Sequence, residues 1–402
     1  MSVRTLLARG DIRLLFAGQT LSMVGDWMMF IVLGIWAKTL TGSSSAAGLV
    51  FFVLTLTGVV APLGGLVVDR LPKRPLMIAT HVALAGVMCL LFLVHDRGDL
   101  WLLYVVTGLY GLGGDVFAAA RGAMLKAMVP DELLGDANGV YQAIREGLRI
   151  VAPLAGAGIF AVFGGSVVAA VDAATFLGSA ATLVALRFAE PTRARKEHHF
   201  LREISAGIAH IVRTRVLREL TTGLAAALFV AGFSETLIFA VADDSLHRSA
   251  SFVGVIGSFQ GIGAIAGGIS AAWLMRRVGD LRLAGLGIGL FGVGDLFWIV
   301  PNVPVVLAST VLAGAGIAWA VVALATAYQR RSPDVVQGRV AAAANMLFSV
   351  PQTIGIAVGA GLITVVDFRV EIVTMTVVFL ASALYLLTRR GEPAEVETAL
   401  AA

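Results

Sequence analysis

Asp26 and Asp115 are the residues whose setting points most directly to chemistry. Each carboxylate lies near the middle of an apolar run, 14–36 and 101–127, long enough to cross a bilayer. Taking a carboxylate out of water penalises its charged form, so a group placed there can carry protons or bind a cationic guest. Glu235, in the run 219–242, belongs to the same class but stands nearer the end of its segment. Glu146 and Arg149 lie three residues apart in the run 137–162, so they share a helical face and can pair. Arg145 would repel Arg149 unless Glu146 lies between them, and a structural ion pair explains the same trio. Asp172 and Asp295 also fall in apolar runs and read as structural or snorkelling acids. Soft, large side chains such as Trp27, Met28, Phe117, Phe233 and Met346 are available to line an adaptable pocket, although most side chains of this kind face lipid or fill the core.

The elements that must position these groups are membrane helices. Of the 402 residues, 58% are hydrophobic and only 14% charged, against roughly a quarter charged in a soluble domain. The charges cluster, and the stretches between clusters are about 20 residues long, the length a helix needs to span the hydrocarbon. Alternating ten-residue segments of the barrel type are missing. We read an all-α polytopic membrane protein with twelve transmembrane helices. The spans are 14–36, 44–67, 75–94, 101–127, 137–162, 166–188, 219–242, 251–275, 282–301, 303–327, 338–364 and 370–388.

Basic residues follow spans 2, 6, 8, 10 and 12: Arg70, Lys73 and Arg74; the arginines from Arg187 to Arg218; Arg276, Arg277 and Arg282; Arg330, Arg331 and Arg339; Arg389 and Arg390. The opposite loops carry only Lys38, Arg97, Arg248 and Arg369. This bias places both termini and the long central loop in the cytoplasm of a multi-pass inner or plasma membrane protein. It also explains the net charge of +4 without a nucleic-acid partner. No small-residue cleavage site follows the first span, which reads as an uncleaved helix.

Several enzymatic signals fail. Gly287-Ile288-Gly289-Leu290-Phe291-Gly292 matches a dinucleotide fingerprint but sits mid-span with no strand before it. No phosphate-loop lysine motif and no nucleophile–base pair are present. His198-His199 has no partner cluster, and Cys89 is the lone cysteine. We expect no enzyme, no cofactor and no metal.

Three divisions follow: an N-terminal six-helix half, 1–188; a cytoplasmic linker, 189–218; and a C-terminal six-helix half, 219–402. In the linker, Phe200 to Val212 has helical apolar spacing with charges opposite, which predicts an amphipathic helix at the membrane surface. The halves look like repeats. Pro130-Asp131 and Gly135 recur 203 residues later as Pro333-Asp334 and Gly338, and Gly156-Ala157-Gly158 recurs as Gly359-Ala360-Gly361.

Gly65-Leu66-Val67-Val68-Asp69-Arg70-Leu71-Pro72-Lys73-Arg74 resembles the loop 2–3 motif of the major facilitator superfamily, with Pro72 in place of a glycine and Arg276 in place of the acid in the second half. Gly147 to Gly156, around Pro153, resembles that superfamily's antiporter motif, with Ala152 where a glycine is usual. Gly25-Asp26, Arg121 within Ala-Ala-Ala-Arg-Gly-Ala-Met-Leu, Asp131-Glu132-Leu133 and Gln329-Arg330-Arg331-Ser332-Pro333 are similar to the drug:proton antiporter family 3, the macrolide and multidrug exporters. The resemblance implies the major facilitator fold of two six-helix pseudo-repeats, with helices 1, 4, 7 and 10 lining a central cavity.

It further implies a gating latch at Gly65, Asp69, Arg70, Arg74 and Arg121. A helix-5 kink is implied at Pro153 and Gly156, and a proton-coupling cavity at Asp26, Asp115, Glu146, Arg149 and Glu235. The expected activity is proton-coupled efflux of an amphipathic drug by alternating access. Its partners would be a small amphipathic substrate, protons and the lipid bilayer, and the protein would be a monomer. The alternatives are transport of a lysophospholipid or siderophore, a nutrient symporter, or a non-transporting scaffold.

Overall fold

The computed structural model of the chain describes residues 9–68, 71–186 and 200–389. We number its α-helices in chain order: α1 Gly10–Thr41, α2 Ser44–Val68, α3 Lys73–Leu90, α4 Leu100–Met128, α5 Asp131–Phe163 and α6 Gly165–Ala185. After the linker come α7 Phe200–Arg213, α8 Arg215–Ala231, α9 Ser234–Ala240, α10 Phe252–Val278, α11 Asp280–Leu296, α12 Val303–Arg331, α13 Asp334–Leu362 and α14 Phe368–Thr388. Among the described residues there is no strand.

Among the described residues, eleven helical stretches are long and apolar enough to cross a membrane. The twelfth, α2, has 25 residues, about 37 Å at 1.5 Å per residue. Apart from the seventh, each expected span coincides with one helix to within a turn or two at either end. The ends are set by the expected devices. Gly42 closes α1 in the left-handed conformation at φ 72°, and Asn302 caps α12 through a bond from the Val305 N–H to its side chain.

The chain divides into two compact units, residues 1–196 with 250–258, and residues 197–249 with 259–402. Within the first, α1 packs on α5 and α6, α3 on α4 and α6, and α2 on α4. Within the second, α8 packs on α13 and α14, and α11 on α12 and α14. Four of the five pairings of the first set recur in the second, helix for corresponding helix. One close crossing shows why the glycines recur. A Cβ on Gly156 of α5 would sit 2.7 Å from the carbonyl oxygen of Met28 on α1, and one on Gly359 of α13 would sit 2.9 Å from the Cα of Phe233. Only glycine lets the backbones approach this closely.

Two elements depart from expectation. The seventh span is not one continuous helix: α8 ends at Ala231, α9 starts at Ser234, and a π-turn covers Val241–Ser245. Gly232 at the break lies against the backbone of Gln352 and Ile356 on α13, so close packing takes the place of a regular turn. The linker helix α7 is packed on α13 along part of its apolar face. Ile204 and Ile211 are buried, Gly207 meets the backbone of Arg339 on α13, and the His210 ring nitrogen Nε2 is 2.9 Å from the Arg331 carbonyl. Protein thus covers the Ile204 and Ile211 part of the apolar stripe, while Val212 stays exposed.

Candidate functional site

The first unit holds two neighbouring carboxylates, Asp172 buried and Asp26 half-buried, where α1, α4 and α6 meet. Asp172, Thr175, Ser179 and Thr182 repeat at helical spacing along one side of α6. That polar stripe faces the small side of α1: a Cβ on Gly18 would strike Thr182, and one on Gly25 would strike Asp172 and Thr175. The missing side chain at Gly25 therefore lets α6 set Asp172 directly beside Asp26.

Asp26 is held by two hydroxyl donors, Tyr110 Oη to Oδ1 at 2.9 Å and Ser22 Oγ to Oδ2 at 3.1 Å. Asp172 is 0% exposed. Thr175 Oγ1 lies 3.3 Å from its Oδ1, while its Oδ2 has no hydrogen-bond partner. Among the described residues neither acid forms an ion pair. A cavity of about 110 Å³ opens beside Asp26, lined also by Gln19, His81, Phe117, Arg121 and Tyr141.

Asp115, the other acid expected at mid-bilayer, is on the same helix as Tyr110 but faces Thr57 of α2. Five residues separate the two, so they point to different sides of α4. The fold thus separates Asp115 from Asp26. Arg121 stands at the far end of the cavity, its guanidinium 3.8 Å above the Tyr141 ring. Glu146 accepts from Gln142 at 3.0 Å and pairs with Arg149 at 3.2 Å and Arg145 at 3.5 Å, with side chains 38% to 46% exposed. Exposed pairs of this kind contribute at most about 1 kcal/mol. Pro153 lies inside α5, within a turn before the Gly156 crossing.

The expected latch falls partly outside the described residues, which do not include Asp69 and Arg70. Gly65 belongs to α2. Arg74 is placed: from the first turn of α3 its Nε donates to the Leu183 carbonyl at 2.8 Å and its Nη2 to that of Val184 at 2.7 Å. It thereby caps the C-terminus of α6, where helix carbonyls lack intrahelical partners.

The second unit has a buried acidic cluster of its own. Ser234 Oγ, at the start of α9, lies 3.4 Å from Asp295 Oδ2 on α11 and 3.4 Å from Met375 Sδ on α14. Glu371, one turn before Met375, is 3% exposed, and both its oxygens lack a partner. Glu235 is half-buried beside Ser234. At the charged end of this unit Arg331 binds Asp280, with Arg330 4.0 Å away.

Sequence reasoning did not single out Tyr110, Asp280 or the pairing of Asp172 with Asp26. The polar stripe at 172, 175, 179 and 182 was the available signal for Asp172. Nothing in the sequence marks Tyr110, whose role depends on which way α4 is rotated.

Relatives agree with this architecture. The family model described as Major Facilitator Superfamily matches residues 15–243 and 224–402. The chain is 28% identical over 173 residues to an uncharacterized MFS-type transporter, YfiS, of Bacillus subtilis, covering 42% of this chain and 40% of that protein. It is 26% identical over 223 residues to macrolide efflux protein A of Streptococcus pyogenes, covering 54% of this chain and 53% of that protein. The chain thus spans about half the length of these relatives or less. Among solved structures, a bacterial homologue of the iron transporter ferroportin has a TM-score of 0.73 at 15% identity, over 95% of this chain and 100% of that one. The peptide transporter POT has a TM-score of 0.74 at 14% identity, over 96% and 97%. Two matches to one family model and, among the described residues, eleven long apolar helices establish that the chain is a multi-pass membrane protein belonging to the major facilitator superfamily of transporters.

Proposed function

We propose that this protein is a secondary active exporter that exchanges inward-moving protons for an outward-moving amphipathic substrate by alternating access. The observation that carries the reading is the Asp26–Asp172 pair. Two neighbouring carboxylates, one buried and one half-buried, with no counter-cation among the described residues, are costly as two anions; a shared proton or a guest cation removes much of that cost. Tyr110 and Ser22 supply two donors to Asp26, which makes it the better site from which a proton can leave and to which one can return. Each proton entering down a 100 mV potential supplies about 2.3 kcal/mol.

Within this reading Asp26 is the coupling residue, and Asp115, facing α2 and apart from the pair, plays a lesser part. Asp69 and Arg70 act with Arg74 and Arg121 as the gating latch, and the charge bias of the loops puts both termini in the cytoplasm of the cell membrane. The similarity to macrolide efflux protein A supports macrolide-like, amphipathic substrates; an endogenous lysophospholipid or siderophore is the rival cargo.

The test is transport in proteoliposomes under an imposed pH gradient, with labelled erythromycin and a cationic dye as cargo. Wild type should show gradient-dependent efflux, Asp26→Asn should lose the dependence on the gradient, and Asp115→Asn should keep it. Gradient-dependent efflux that survives Asp26→Asn refutes the coupling assignment. Efflux in wild type that ignores the gradient refutes proton exchange and favours the lipid cargo.

A further inference from the structure

The cavity beside Asp26 has a composition that bilayer packing does not explain. Gln19 and His81, on its walls, are 4% and 1% exposed. Gln19 Nε2 and His81 Nδ1 nonetheless have no hydrogen-bond partner in the protein. A buried amide or imidazole nitrogen left unpaired costs about 1–3 kcal/mol, so apolar residues would be the better filling if the space were only a packing defect. His81 is moreover held in one orientation. Its ring stacks on Phe117 with centroids 3.7 Å apart and planes 13° from parallel, and Phe176 closes another side at 5.1 Å. A volume of about 110 Å³ has room for roughly three waters at about 30 Å³ each.

We infer that this cavity is a hydrated relay carrying the proton between Asp26 and the Arg121–Tyr141 end, with His81 and Gln19 as the positioning residues that anchor its water. The inference rests on Asp26 being the proton site. In the relay, the O–H bond of the Asp26 acid breaks as its proton passes to the nearest cavity water. The carboxylate left behind keeps the Tyr110 and Ser22 hydroxyl donors. The excess proton then passes from oxygen to oxygen along the water, and an equivalent proton leaves at the other end. Gln19 donates an N–H to the water and His81 Nδ1 holds it from the opposite wall, each ending with the protons it began with.

The ionisable groups on the walls are Asp26, His81, Arg121 and Tyr141, with Tyr110 and Asp172 behind Asp26; Asp115 turns away to Thr57. The guanidinium of Arg121 disfavours a resident hydronium at the exit, so the excess proton moves on rather than accumulating there.

Infrared difference spectroscopy of the full-length protein in lipid tests this without any cargo. The carboxylic-acid carbonyl band that disappears in Asp26→Asn is assigned to Asp26, and its hydrogen–deuterium exchange rate after transfer to heavy water reports access to water. Ala118→Leu fills the cavity from an exposed position on α4. His81→Phe keeps the stack on Phe117 and deletes Nδ1, and His81→Asn restores a polar atom near the Nδ1 position. Ala118→Leu and His81→Phe should slow exchange about tenfold, the equivalent of about 1.4 kcal/mol in the barrier, and His81→Asn should recover most of the rate. Exchange at the wild-type rate in both Ala118→Leu and His81→Phe overturns the relay. If His81→Phe does not fold, Ala118→Leu alone decides. A spectrum in which Asp26→Asn removes no band instead overturns the assignment of Asp26 as the proton site, and the relay with it.

Discussion

Arg74 offers the sharpest separation between a topological charge and a structural one. If it served only to keep its loop on one side of the membrane, lysine would replace it without loss. In the structure its part is more specific, because Nε and Nη2 each hold a carbonyl in the last turn of α6, at 2.8 and 2.7 Å. Hydrogen bonds to a charged group contribute about 1.5–3 kcal/mol each when shielded from water, and a cation at a helix C-terminus adds about 0.3–1 kcal/mol. The bond to Val184 is exposed, so we discount it heavily and take about 2 kcal/mol for the whole cap.

Loss of that amount shows first as fraying of the end of α6. Hydrogen exchange read by mass spectrometry on peptides covering 179–186, in the full-length protein in nanodiscs, should therefore accelerate about thirtyfold in Arg74→Ala, at about 1.4 kcal/mol per factor of ten. Arg74→Lys keeps the charge and loses the fork that reaches two carbonyls, so it should fall between, near fivefold by the same conversion. Peptides around Leu103 to Tyr110 should not change. Exchange in Arg74→Ala indistinguishable from wild type at 179–186 would refute the capping argument and return Arg74 to a topology signal.

Two further predictions concern packing and charge. Gly156→Ala places a methyl 2.7 Å from the Met28 carbonyl oxygen and should cost about 1–3 kcal/mol, lowering the thermal midpoint in detergent. Gly158→Ala, two residues on and with nothing within 4 Å, should be neutral or stabilise by up to about 1 kcal/mol; equal effects at the two sites would refute the close crossing. Asp280→Asn should destabilise by about 2–4 kcal/mol, because the side chains of Asp280 and Arg331 are only 8% and 17% exposed and Arg331 loses its partner; Arg331→Ala should cost less, because Arg330 stays 4.0 Å from Asp280. A double-mutant cycle by thermal unfolding should show strong coupling, and strictly additive losses would refute the pair.

The membrane class, the span positions and the repeat were all legible in the chain. They rest on local quantities: a run of about 20 apolar residues needs no partner to favour the bilayer, charges segregate to loops whatever the packing, and a register of 203 residues is a property of the string. The mid-span acids were visible for the same reason, since Asp26 and Asp115 stand out in apolar surroundings. Where periodicity had to choose a neighbour, it was less secure. The apolar stripe of α7 marked a face to be covered but could not say that α13 takes the part at Ile204 and Ile211.

What the tertiary structure decided is which acid has which company. Asp26 and Asp172 lie 146 positions apart in the chain and meet because Gly25 offers no side chain at the crossing of α1 and α6. Asp26 and Asp115 are alike in composition and depth, yet Tyr110 attends only the first, because five residues of helix turn Asp115 to another face of α4. His81 and Gln19 were ordinary residues in an apolar run until five helices, α1 and α3 to α6, enclosed them around one cavity. Hydrophobicity is additive along a sequence and can be read from it; the rotation of each helix about its axis is set by packing against several others at once, and chemistry at a buried site depends on that rotation.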